Sequence, residues 1–177
     1  MADNNITFKH MLIKDRDTIL TEWISLSWDK CFSRGNTGSS CGSMPGCNTE
    51  IPLKHTFRTG LERIFDELIE GKLPDKKHVI LNDVIKILAI QDSSPSEALS
   101  FYTTLAAMIR FRFKTQLKDE EINYQFNELI ENIYKALYIS FDIYMEIRER
   151  LFNIKIKEIT AANNRLFKMA KLITNET

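Results

Sequence analysis

Cys31, Cys41, Cys47 and His55 are the residues whose types could together hold a metal, because Zn²⁺ takes four thiolate or imidazole ligands in a Cys₃His set. Nine, five and seven residues separate them in turn. None of these gaps is the tight C-x₂₋₄-C knuckle that marks a zinc site from sequence. An iron–sulfur cluster wants four thiolates and meets the same spacing problem. The plainer expectation is ordinary thiols on a loop and no cofactor, with zinc or iron–sulfur binding as the alternative.

Other chemistry-bearing residues have structural explanations ready to hand. Asp142, Glu146 and Glu149 fall on neighbouring helical faces, where a buried carboxylate pair could do acid–base work. Arg148 and Arg150 lie among them, so ion pairing along the helix explains these acids better. His55 opens a helix with Arg58 one turn on and reads as a hydrogen-bonding residue at that start. His10 and His78 sit beside Lys9 and Lys77 and read as exposed, without the neighbour that a base–nucleophile pair needs. Aromatics from Phe101 to Tyr144 could line an apolar cavity, but such stripes are usually core. No P-loop, dinucleotide fingerprint, H-E-x-x-H or nucleophile elbow occurs. A non-catalytic protein is expected.

The elements that must position these residues are helical. Residues 1–177 have the length of a single domain that needs no metal or disulfide to fold, and hydrophobic (44%) and charged (27%) residues are balanced as in globular proteins. Lysine plus arginine equals aspartate plus glutamate, 24 each, which speaks against phosphate-driven nucleic-acid binding and against a polybasic membrane face. Charge interrupts even the run Ile85–Ile90, so no membrane span is expected. An odd cysteine count and an N-terminus without a secretory pattern point to the cytoplasm.

Phe8, Met11, Leu12, Ile19, Trp23, Ile24 and Leu26 sketch a first amphipathic segment with a break near Asp15. The Gly/Ser/Cys-rich loop 33–50 follows, and Pro52 then starts a helix that Gly71 should end. An apolar helix from about Lys76 to Gln91 is expected to be central. Ser94-Pro95-Ser96-Glu97 is a capping box with proline in the first turn, opening a helix that ends in Arg110 and Arg112. From Asp119 onward no glycine or proline occurs. Ile122, Phe126, Leu129, Ile133, Leu137, Phe141 and Tyr144 mark one stripe, continued by Phe152, Ile156, Ile159, Leu166, Met169 and Ile173. One very long helix, or two in line with a bend near Asn153, accounts for this. Its last part, about 153–175, should project and pair with a second copy.

Lys54–Leu61, Ile90–Ala98 and Phe141–Glu149, in that order, give the chain a resemblance to the RsbRD N-terminal domain family over roughly residues 8–155. Its members are helical regulatory domains related to the co-antagonists of the bacterial stressosome. The resemblance implies an all-α bundle, globin-like yet without haem and often dimeric, that signals through a linking helix. A globin-like frame makes His55 the residue to consider for a haem contact. In the stressosome proteins the linking helix runs into a STAS domain; here it looks like the transmitter without that receiver. The expected function is a sensory or regulatory binding module, with itself and another regulatory protein as partners.

Overall fold

The computed structural model describes residues 7–32, 50–72, 75–76, 78–91 and 93–174. Seven α-helices and one 3-10 turn make up these residues, with no strand among them. They are α1 (Phe8–Lys14), α2 (Arg16–Phe32), α3 (Glu50–Ile69), α4 (Val79–Ile90), α5 (Pro95–Ala98), α6 (Ser100–Arg112) and α7 (Glu120–Thr174). The cysteine-bearing loop lies outside the described residues.

The helix boundaries follow local chemistry. Asp15 separates α1 from α2, a break expected of a residue that caps helices. Gly71, at φ +73°, ends α3 with its N–H on Leu68 O while the Lys72 N–H reaches Glu67 O, the paired closure that favours glycine at this position. The capping box forms: the Glu97 N–H donates to Ser94 Oγ at 3.3 Å and the Ser94 N–H to Glu97 Oε2 at 3.2 Å. The helix it starts is shorter than expected, breaking at Leu99 after four residues and resuming at Ser100. Ala98, Leu99, Phe101 and Tyr102 are all buried. A straight helix turning about 100° per residue presents a narrower face than that run requires, and the break brings it inward.

Trp23 is completely buried at the centre, its indole N–H donating to Phe101 O at 2.7 Å. Phe65 from α3 and Phe101 from α6 pack against it, and Phe57 and Tyr102 pack in turn on Phe101. Arg16 joins α2 to α3 through two 2.7 Å bonds to the Asp66 carboxylate. Helix α4 packs on both α3 and α7, which is the central place its apolar sequence implied; of its apolar residues only Val79 and Ile90, at its ends, are well exposed.

Gly60 explains how α3 and α4 come so close. A Cβ at this position would overlap the Val84 side chain. Gly60→Ala is therefore expected to cost about 1–2 kcal/mol, an overpacking penalty of ~1–3 kcal/mol partly offset by the better helix propensity of alanine. In a Val84→Ala background the same change should be neutral or stabilising. Chemical denaturation of the four proteins of this cycle checks it, and an equal cost in both backgrounds would rule out the steric account.

Helix α7 is continuous through Asn153, without the bend that the sequence left open. Its 55 residues correspond to about 80 Å at 1.5 Å per residue. Asp119 caps it by accepting the N–H groups of Glu121 and Ile122. Phe126, Leu129, Ile130, Ile133, Ala136, Ser140, Ile143 and Tyr144 face the core. Phe141, expected among them, is 45% exposed, because it belongs to a second stripe on another face. From Phe152 to Met169 every side chain is exposed, so this end projects from the bundle.

Candidate functional site

The candidate site is the outer face of α7, and the bundle holds its root in place. Tyr144 donates its hydroxyl to Ser93 O at 2.9 Å, and the Arg148 guanidinium donates to Ala89 O at 3.2 Å. Both grips fall on the α4 end and the linker to α5. Higher up, Ser140 Oγ donates to Ala136 O at 2.8 Å, so the buried Tyr102 hydroxyl must be the donor in its own 2.8 Å bond to Ser140. Burial pushes the Tyr102 phenol well above its ordinary range. Lys76 pairs with Asp142 at 2.8 Å, and that bond raises the lysine above its usual value. Glu146 pairs with Arg150 one turn on, the intrahelical pairing expected of these residues.

Outward from these contacts lies a line of exposed apolar residues. Tyr134, Tyr138, Phe141 and Met145 carry it along the bundle, and Phe152, Ile156, Ile159 and Leu166 continue it along the projecting end. At about 100° per residue, these eight positions stay within roughly 40° of one straight line down the helix. Phe141, Met145 and Phe152 line a groove of about 740 Å³, edged by Lys76, Asp142, Glu146, Arg148 and Glu149.

Five of the six proposed contact residues, Phe152, Ile156, Ile159, Leu166 and Met169, are exposed here. Ile173 lies within α7, but its side chain is outside the described residues. In the bundle half of the line, Phe141 was expected in the core stripe and Tyr134 and Tyr138 among core or cavity-lining aromatics, not on a contact surface. Its signal was the seven-residue interval linking Tyr138, Met145, Phe152, Ile159 and Leu166.

The metal candidates are placed differently. Cys31 is 6% exposed against the Glu97 and Ala98 carbonyls, and burial raises its thiol from 9.0 to about 11. A ligating thiolate at Cys31 would have to leave this surrounding, since only the deprotonated form binds metal. Cys41 and Cys47 lie outside the described residues. His55 is exposed on α3. Among the described residues, no three His, Cys, Asp or Glu side chains are grouped as a metal would need.

His78 is not the exposed residue its lysine neighbour implied. It is half-buried and caps α4: the Leu81 N–H donates to Nδ1 at 3.2 Å, which leaves the proton on Nε2 to donate to Glu67 Oε1 at 3.0 Å. Phe101, Tyr102, Phe113, Phe126 and Tyr144 are core, as expected of most aromatics, whereas Phe111, Tyr134, Tyr138 and Phe141 face outward.

The raised Cys31 thiol has a pH consequence. Between pH 9 and 11 the unfolded chain loses this proton while the folded chain keeps it, so folding stability should fall across that window. In a Cys41→Ser/Cys47→Ser background, urea unfolding at pH 8 and pH 10 should show a decline that Cys31→Val reduces, the buried Tyr102 phenol contributing the same sign in both. Equal declines with and without the thiol would refute the assignment.

No helix among the described residues is long and apolar enough to cross a membrane. No protein-family model matches this sequence, and neither a curated protein nor a solved structure is detectably similar to it.

Proposed function

We propose that this chain is a non-catalytic regulatory binding module whose output surface is the apolar line on α7. One observation carries the reading: from Phe152 to Met169 the helix has left the bundle, yet it keeps Phe152, Ile156, Ile159, Leu166 and Met169 on its surface. A contiguous exposed apolar strip of this kind is the mark of a protein–protein contact. An input to the bundle, whether a small molecule, a redox change or a partner, acts by shifting the packing that Tyr144 and Arg148 clamp at Ser93 and Ala89. Discrete repacking of a helix at such a clamp is an established way to carry a signal. The resemblance to the RsbRD N-terminal domain family supports the same reading, a role in bacterial stress signalling with a homodimer and a second regulatory protein as partners.

Full-length protein is expected to be dimeric by light scattering at micromolar concentration, and a chain truncated after Phe152 to be monomeric with an unchanged bundle melt. Pull-downs from native cells with both forms should differ in the partner retained. Equal mass and equal partners for the two forms would remove the arm from the function.

A further inference from the structure

We propose that α7 pairs with α7 of a second copy in the antiparallel sense, the projecting end of each chain lying in the groove at the root of the other. This rests on the contact role of the arm argued above and adds the occupant and its direction.

Charge is the first reason. Residues 120–146 hold six carboxylates and one lysine, whereas residues 147–169 hold six cations and two carboxylates. Acids at a helix start and bases at its end suit the helix dipole, but that preference fades within the first and last turns. Here the segregation runs through both halves of the helix. The groove beside Phe141, Met145 and Phe152 has Asp142, Glu146 and Glu149 on its edge together with Lys76 and Arg148. Lys76 and Arg150 already engage two of these acids, so the rim is hydrogen-bonded yet still carries partly exposed carboxylates. An apolar groove with three carboxylates and two cations on its rim fits an apolar helix that brings one cation beside its line. Residues 152–169 of this same chain are such a helix, with Lys155 about 60° from the line and Lys157, Arg165 and Lys168 toward its far side.

The second reason is steric and electrostatic order along the line. In the seven-residue frame set by Tyr138, Met145, Phe152, Ile159 and Leu166, the companion inward positions include Arg148 and Lys155. A parallel, in-register pair would set each of these cations against its own copy, and would stack acid on acid and base on base along the whole length. Antiparallel pairing removes both conflicts and opposes the two helix dipoles. The line runs from Tyr134 to Leu166 with Met169 just beyond, so its midpoint, and the two-fold axis, fall close to Phe152.

The sense of pairing is readable by spin-label distances on the full chain in the Cys41→Ser/Cys47→Ser background, with one label at either Asn153→Cys or Lys168→Cys. Pairing centred on Phe152 predicts a short distance at residue 153. At residue 168 it predicts about 45–50 Å, twice sixteen residues at 1.5 Å each. Short distances at both sites would mean a parallel pair and overturn the proposal, leaving the contact role of the arm intact. A monomeric mass at 100 µM would overturn self-pairing, while loss of a distinct captured partner on truncation would still support the broader reading. Lys155→Glu should weaken the dimer at least tenfold in low salt, and Lys157→Glu, about 140° from the line, should not. An unchanged dissociation constant for Lys155→Glu would defeat the charge argument.

Discussion

Replacing Trp23 with alanine is expected to lower the stability of the bundle by about 3–5 kcal/mol, the range found for removing a large aromatic from a packed core. Trp23 is wholly buried, and it is the residue at which α2, α3 and α6 meet through Phe65 and Phe101. The loss has two parts: the apolar surface with the cavity left behind, and the 2.7 Å bond from the indole N–H to Phe101 O. Trp23→Phe separates them, keeping most of the packing while deleting the donor, and should cost clearly less than alanine. Single domains are stable by only ~5–15 kcal/mol, so the alanine variant should lose a large share of its stability. Urea titration followed by circular dichroism reads both values. A cost under about 1 kcal/mol for Trp23→Ala would show that the three helices do not depend on this contact.

Phe152→Glu combined with Ile159→Glu is expected to convert the proposed dimer to monomer without unfolding the bundle. Both side chains are more than half exposed in the single chain, so neither contributes to its core. Surface changes of this kind usually alter folding by no more than ~0.5 kcal/mol. In a two-fold dimer each substitution occurs twice. Burying a large apolar side chain contributes about 1.5–3 kcal/mol, so losing four of them should raise the dissociation constant by roughly a thousandfold or more. Ile154→Glu is the internal control. Ile154 is also exposed, but it stands about 200° around the helix from Phe152 and should leave the dimer intact. Analytical ultracentrifugation across concentrations compares the variants. If Ile154→Glu dissociates the pair as effectively as Ile159→Glu, the line from Tyr134 to Leu166 is not the contact.

Helix chemistry made most of the fold legible before any coordinates. Capping, proline and glycine signals act over three to five residues, which is why Asp15, Pro52, Gly71 and Ser94–Glu97 mark their boundaries correctly. The absence of glycine and proline after Asp119 likewise foretold the long last helix. Errors arose where two patterns share one helix. Phe141 and Tyr144 are three residues apart and equally apolar, and periodicity joins them, yet Tyr144 is core and Phe141 lies on the outward line. The same limit applied to His78, whose lysine neighbour implied exposure but whose ring caps α4 against Glu67.

What the sequence determined by itself was therefore local: an all-helical chain, most of its helix ends, and an apolar repeat running beyond the bundle. Tertiary structure alone decided which of two apolar faces on α7 enters the core, that Gly60 sits against Val84, and that Cys31 is sealed against the end of α5. The reason is that helix formation depends on neighbours within a turn, whereas burial depends on which distant segment arrives to cover a face.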